Sequence, residues 1–214
     1  MAIPILLQVA SAAQALPVIA LAVVRGRHSP APHLRIALWC CLLVLFDVMD
    51  LVVGGRTGNN HWTAYGTVPV EVGTTLWILS AWQPDGPVRR AYVIGIAATG
   101  AAIAAALLLT NPQETFDVWV APLAALFAFG AVLHTLVTRT LRSREALLSL
   151  DWFWICLGLA LFWAVQISTP ALLTAFLDTH RELVVDAFLA RSAIVIVGFV
   201  CIAWGVACPQ APLR

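Results

Sequence analysis

Long apolar stretches alternate along the chain with short polar segments rich in Pro and Gly. Each stretch has about 20 residues, the length an α-helix needs to cross the hydrocarbon core of a bilayer. The seven stretches cover residues 3–24, 36–54, 62–82, 91–110, 117–138, 151–173 and 185–207. The segments between them are too short for a separate soluble domain, so we expect residues 1–214 to form a single domain. The pattern predicts an all-α membrane protein, a bundle of seven transmembrane helices.

The first stretch has an alternative interpretation as a cleaved signal peptide. Residues 11–15 resemble a cleavage site, but no basic residues precede the apolar run, which continues to Val24. A signal peptide needs both the basic region and a shorter apolar run. We therefore expect the stretch to remain as the first span.

Prolines inside the predicted spans mark positions where a helix could kink, because proline has no N–H to donate. They are Pro17, Pro69, Pro122 and Pro170. We expect no span to be interrupted in the manner of repeat-built transporters, whose binding helices are discontinuous. Neither does the first half of the sequence visibly repeat in the second.

Composition agrees with a membrane protein. Apolar residues make up 61% of the chain and charged residues 11%, and the mean hydropathy is +0.91. A net charge of +1 without a long basic run excludes a nucleic-acid partner. All 12 basic residues are Arg. Without Lys, no side chain can form a Schiff base, which excludes covalent retinal and pyridoxal phosphate.

The arginines also predict the orientation, since cytoplasmic loops carry an excess of basic residues. With the N-terminus outside and the C-terminus inside, the inner side holds nine arginines: Arg25, Arg27, Arg35, Arg89, Arg90, Arg139, Arg142, Arg144 and Arg214. The outer loops then hold two, Arg56 and Arg181. We expect a multi-pass protein of the bacterial inner membrane. Its basic inner face, especially Arg139, Arg142 and Arg144, is a candidate docking surface for a partner.

Nine tryptophans are present, and those near the ends of spans are typical interface anchors. We expect this role for Trp62 and Trp119 at the outer surface and for Trp39, Trp82, Trp152 and Trp154 at the inner surface. Trp77, Trp163 and Trp204 lie further from the predicted interfaces, and we expect them to pack inside the bundle.

Polar side chains within the spans are the best candidates for function, because an ionisable group inside a bilayer is costly and is usually functional. They are Gln14 in the first span, Asp47 and Asp50 in the second, Glu71 in the third, Gln166 in the sixth and Arg191 in the seventh. A rise of ~1.5 Å per residue puts Asp47 ~12 Å and Glu71 ~13 Å below the outer surface. The sequence predicts one polar layer in the outer half of the bilayer, open to a small ligand or ion.

Two interpretations of this layer remain open. Arg191 could neutralise Glu71 or Asp47 in a buried pair that has only a structural role. Alternatively, the surplus of carboxylates over the single Arg could be balanced by a cation, a proton or a basic ligand. We favour the second interpretation because of that surplus.

Signals for metal or catalytic chemistry are weak. His134 has no second His at a matched depth to hold a haem, and His61 with Asp50 has no obvious third ligand for zinc. No phosphate loop or nucleophile motif is present. We expect no metal site, no cofactor and no catalytic residue.

Several short motifs have counterparts in known membrane proteins. They are Asn59-Asn60-His61-Trp62 before the third span, Pro69-Val70-Glu71 within it, Asp47 in the second span and Phe153-Trp154-Ile155 at the start of the sixth. In these motifs the chain resembles uncharacterised heptahelical bacterial membrane proteins, which are abundant in Bacteroidetes. The resemblance implies a membrane sensor module linked with histidine kinases. The topology is also similar to that of microbial rhodopsins, but their retinal Lys is absent.

These observations favour a receptor-like module that binds a small ligand or ion and signals through a separate partner. The seven residues after Ala207 are too few for an output domain, so the partner is expected to be another protein. The alternative is a small-solute or proton-coupled transporter that uses Asp47 and Glu71. A third class, an enzyme acting on lipid, lacks a complete set of ligands.

Overall fold

The computed structural model describes residues 2–24, 30–57, 63–109, 120–176 and 181–208, and the described residues are almost entirely helical, with no strand. The α-helices are α1 (Ala2–Ala13), α2 (Leu16–Val24), α3 (Ala31–Thr57), α4 (Thr63–Ser80), α5 (Pro87–Leu109), α6 (Val120–Arg142), α7 (Asp151–Phe176) and α8 (Arg181–Ala207). A short 3₁₀ turn, Leu147–Ser149, precedes α7.

Among the described residues, four helices are long and apolar enough to cross a membrane. The candidate spans are Ala31–Arg56, Ala121–Arg142, Asp151–Ser168 and Glu182–Ala207. Their outward surfaces are lined with large apolar side chains, for example Leu51, which is 77% exposed. Exposed apolar surface of this kind suits a lipid environment, which gives no hydrophobic penalty for it. The all-α fold expected from the sequence is therefore observed, and it includes four helices that could cross a membrane.

The first apolar stretch is interrupted, although the sequence predicted an unbroken span over 3–24. α1 ends at Ala13 and α2 begins at Leu16. The reason is Pro17, which has no N–H to donate to the carbonyl of Ala13. The backbone forms a 3₁₀-type turn instead. The Gln14 N–H donates a hydrogen bond of 3.2 Å to the Ser11 carbonyl, and the Ala15 N–H donates one of 3.1 Å to the Ala12 carbonyl. Gln14 thus lies in the turn between two short helices.

The helices form a ring in which α8 packs against α1, α2 and α7. From α7 the ring continues through α6 and α4 to α3, which packs against α2. α5 lies outside this ring and packs mainly on α4. The earliest and latest helices of the chain are therefore neighbours, which brings residues far apart in sequence into one interior.

The closest helix pair is α7 and α8, and glycines allow their approach. A Cβ on Gly158 would clash with the carbonyl oxygen of Gly198 and would lie 2.5 Å from Cγ1 of Ile202. A Cβ on Gly205 would lie 2.8 Å from the carbonyl oxygen of Asp151. Small residues at such positions allow the dense packing that holds helices together in membranes.

An aromatic group forms the centre of the ring. Trp39 on α3 makes an edge-on contact with Phe162 on α7, with ring centroids 5.1 Å apart, and stacks on Phe199 of α8 at 5.9 Å. Its indole is fully buried, so its predicted role as an interface anchor is wrong. Trp82 and Trp152 are also buried, whereas Trp204, expected inside, is 59% exposed.

Candidate functional site

Asp47 is the best-connected acidic side chain of the predicted polar layer. Its Oδ2 atom accepts a hydrogen bond of 2.6 Å from the hydroxyl of Ser11 and one of 3.0 Å from Nε2 of Gln14. The turn at the end of α1 presents both donors to α3, because the break before Pro17 leaves Gln14 at the helix end. Ser11 was not among the residues singled out from the sequence, and its ordinary hydroxyl gave no signal there.

Asp50 and Glu71 complete the acidic part of the site. Asp50 lies one turn beyond Asp47 on α3 and has the hydroxyl of Thr63 as a hydrogen-bond partner. Glu71, on α4, lies within electrostatic range of Asp47, Asp50 and Arg191. Three acidic side chains from two helices therefore share one region.

Arg191 supplies the positive charge of this region from α8. Its Nη2 donates a hydrogen bond of 3.1 Å to Oε1 of Gln166 on α7. The guanidinium attracts the carboxylates of Asp47 and Glu71. It forms no ion pair within 4.0 Å with either of them, the described ion pairs lying elsewhere. The direct structural pair considered from the sequence is thus not formed.

Buried atoms in this region lack partners. Oε1 of Gln14, Oδ1 of Asp50 and Nε of Arg191 are buried without a hydrogen-bond partner. A buried polar group left unpaired costs about 1–3 kcal/mol, which favours occupation by water or by a polar ligand. We define the polar cluster as Ser11, Gln14, Asp47, Asp50, Glu71, Gln166 and Arg191.

The remaining predicted residues have different surroundings. Arg142 and Arg144 are exposed. Arg139 turns back towards the bundle, where Nη1 donates to the carbonyl of Trp82 over 2.9 Å and the guanidinium lies 5.3 Å from the centre of the Trp152 ring. The motif residues 59–62 lie outside the described residues.

One buried polar pair was missed from the sequence. His33 precedes the predicted second span, 36–54, but α3 begins at Ala31, and His33 is fully buried inside the bundle. Its Nε2 lies 3.0 Å from Oδ2 of Asp151 at the start of α7. The other Asp151 oxygen accepts the backbone N–H of Trp152 over 2.8 Å. The spacing of His33, Ile36 and Cys40 on one helical face was the available signal.

The described residues contain no group of three or more His, Cys, Asp or Glu side chains placed to hold a metal ion. No protein-family model, no curated protein and no solved structure matches the chain. The geometry of the polar cluster is therefore the main guide to function.

Proposed function

We propose that the protein is a seven-span module of the bacterial inner membrane, with its N-terminus outside, that binds a small cation or cationic ligand in the polar cluster. Binding is proposed to change the packing of the spans, which a separate signalling protein then detects. The observation that carries the proposal is the grouping of three carboxylates, Asp47, Asp50 and Glu71, within electrostatic range of one another, with the single guanidinium of Arg191 in range of Asp47 and Glu71.

Charge balance favours a cation over other ligands. Arg191 can offset one of the three carboxylates, and its hydrogen bond goes to a neutral amide instead. Near a protein surface, at an effective dielectric constant of 20, unit charges 4 Å apart interact by about 4 kcal/mol. A bound cation would therefore gain attraction from several carboxylates at once. The free oxygens of Gln14 and Asp50 are acceptors for such a ligand.

The close packing of α7 on α8 supports a signalling role. Arg191 lies on α8 and Gln166 on α7, and the same two helices are in tight contact at Gly158 and Gly198. A ligand that moves the Arg191 guanidinium would therefore act on both helices. α7 begins directly after the segment that carries exposed Arg144. This connects the polar cluster with the basic surface proposed for the partner.

Cation transport is the second candidate, and the break between α1 and α2 favours it. Discontinuous helices that offer free backbone carbonyls are common at ion sites of transporters. Here the break places Gln14 against Asp47, and Pro17 leaves the carbonyl of Ala13 without its helical donor. In this alternative, Asp47 and Glu71 bind the transported cation or proton.

The test compares the wild type with Glu71→Gln in two assays. Purified protein is titrated with Na⁺ and with tetramethylammonium while tryptophan fluorescence is recorded, and cation flux is measured in liposomes. Glu182→Gln is the matched control, because Glu182 is exposed on α8. Saturable binding that Glu71→Gln weakens, without flux, supports sensing. Flux that the same variant abolishes supports transport. Equal titrations for Glu71→Gln and the wild type would refute a cation site.

A further inference from the structure

A cavity lies at the opposite end of α3 from the polar cluster. It has a volume of about 300 Å³, and its lining includes Ala31, Arg35, Arg89, Arg139, Asp151 and Trp152. Asp47 is 16 residues further along α3 than Ala31, or ~24 Å at the helical rise. The cavity is therefore separate from the polar cluster, and the proposed function does not use it.

Two of the three cavity arginines are held in place by neutral groups. Arg35 donates from Nη1 to the carbonyl of Trp77 over 2.6 Å, and its guanidinium lies 4.5 Å from the centre of the Trp77 ring. Arg139 is held in the same way by the Trp82 carbonyl and the Trp152 ring. Neither has a carboxylate within 4.0 Å among the described residues. Their positions are fixed, and their charges remain without a direct counter-ion.

The helices around the cavity add to its positive character. α3 begins at Ala31 and α7 at Asp151, and both residues line the cavity. Arg89 lies in the first turn of α5. Helix N-termini carry partial positive charge, which favours anions. The N-termini of α3 and α7 therefore lie at the same cavity as three guanidinium groups.

The two carboxylates near the cavity, those of Asp151 and Asp85, already have hydrogen-bond or ion-pair partners. Both oxygens of Asp151 have partners, His33 and the backbone N–H of Trp152. Asp85 forms an ion pair with Arg89. Asp151 also attracts the Arg139 charge, but it forms no ion pair with that guanidinium. Both Arg35 and Arg139 therefore still have N–H groups to donate. The planar guanidinium of arginine can donate two parallel N–H hydrogen bonds, which match two oxygens of one phosphate group.

We propose that this cavity is a binding site for a phosphate group, with Arg35 and Arg139 as its principal ligands. The group could be supplied by the headgroup of an anionic phospholipid in the adjacent leaflet or by phosphate in solution. Basic pockets between membrane helices bind phospholipid headgroups in this way. The two sources share the same chemistry and differ in whether acyl chains are needed.

The test uses purified protein in phosphatidylcholine nanodiscs, with and without phosphatidylglycerol. Retained phosphatidylglycerol is counted by native mass spectrometry, and inorganic phosphate binding is measured by calorimetry in the discs without phosphatidylglycerol. Arg35→Gln removes one ligand, and we expect it to weaken binding at least about tenfold, as for the loss of a charged hydrogen bond.

Arg89→Gln is a second variant, and it is expected to leave folding intact because its partner Asp85 is largely exposed. It is expected to weaken binding in the same direction.

Arg142→Gln is the matched control, because Arg142 is one turn from Arg139 on α6 but exposed and outside the cavity lining. We expect it to bind as the wild type does. Retention of phosphatidylglycerol without binding of inorganic phosphate assigns the site to a lipid headgroup, and binding of both assigns it to the phosphate itself. Absence of both, or equal losses in Arg35→Gln and Arg142→Gln, would overturn the proposal.

Discussion

The guanidinium of Arg191 donates its 3.1 Å hydrogen bond to the neutral amide of Gln166, although Asp47 and Glu71 both attract its charge. A direct ion pair would satisfy the charges and leave little for a ligand to gain. By binding the Arg191 guanidinium, Gln166 keeps it out of a direct ion pair with Asp47 or Glu71, so these carboxylates stay available to a ligand. This separation of opposite charges is the property on which the proposed cation binding depends.

The direction in which cation affinity changes when a charge is removed tests the proposed cation site directly. Arg191→Gln removes the positive charge beside the carboxylates, and we expect cations to bind about tenfold more tightly, since about 1.4 kcal/mol corresponds to that factor. Glu71→Gln is expected to weaken binding by a similar factor. Tetramethylammonium titrations of both variants give the comparison.

The control for this pair is Asp186→Asn, because Asp186 lies on α8 with Arg191 but is exposed. It is expected to leave the affinity unchanged. Tighter binding of anions in Glu71→Gln, or changes of the same sign in both variants, would contradict a cationic ligand.

Gln14 is expected to contribute to binding through its contact with Asp47. Gln14→Leu removes the 3.0 Å donor to the Asp47 carboxylate and the free Oε1 acceptor. We expect cation affinity to fall about tenfold, because hydrogen bonds to charged groups contribute about 1.5–3 kcal/mol. Gln8→Leu, on the exposed side of α1, is the control and should match the wild type. Equal titrations of both variants would show that Gln14 has no part in the site.

The buried pair of His33 and Asp151 is expected to be important for stability. His33→Leu leaves the Asp151 oxygen without the partner that lies 3.0 Å away. Removing one member of a buried pair costs about 3–5 kcal/mol. We expect a clear drop in the melting temperature of the protein in detergent.

His134→Leu is the comparison for that measurement. His134 is exposed, and its Nδ1 lies 2.9 Å from the Tyr92 hydroxyl, which also has Thr135 and the Ala131 carbonyl as partners. Its loss is expected to change the melting temperature much less. A His134→Leu variant as unstable as His33→Leu would show that burial of the pair is not the cause.

The contact of α7 with α8 predicts a strong effect of one added methyl group. A Cβ on Gly158 would meet both the Gly198 carbonyl and Ile202. Overpacking of this kind costs about 1–3 kcal/mol, so Gly158→Ala is expected to lower the melting temperature. Gly130→Ala places its methyl group in open space and is expected to leave it unchanged or raised. Equal melting temperatures of Gly158→Ala and Gly130→Ala would mean that α7 and α8 can move apart to accommodate the added methyl group.

The helical fold and the apolar helices were predictable from the sequence, because apolar runs of sufficient length leave few alternatives in a membrane. The proximity of Asp47 and Glu71 was also expected from their depths. Helical rise gives depth, but it does not show which side of a helix faces its neighbours. For this reason the sequence left open whether Arg191 pairs with a carboxylate, and it did not predict Gln166 as the hydrogen-bond partner.

Side-chain surroundings were harder to predict near helix ends. Trp39 lies near the predicted interface by residue count, yet it contacts Phe162 and Phe199 in the centre of the ring. α3 starts five residues earlier than the predicted 36, at Ala31, and this places both Trp39 and His33 deeper in the bundle. Pro17 was recognised as a possible kink, but the complete break depended on the 3₁₀-type turn that follows Ser11.

The packing of α1 and α2 against α8 has a consequence for biogenesis. Both helices are synthesised before their neighbour α8. Until α8 is made, the carboxylates of Asp47 and Glu71 lack the guanidinium of Arg191, which arrives with that helix. The ring therefore closes only when synthesis reaches α8. A chain truncated before that helix would leave these carboxylates without the positive charge that attracts them in the folded protein.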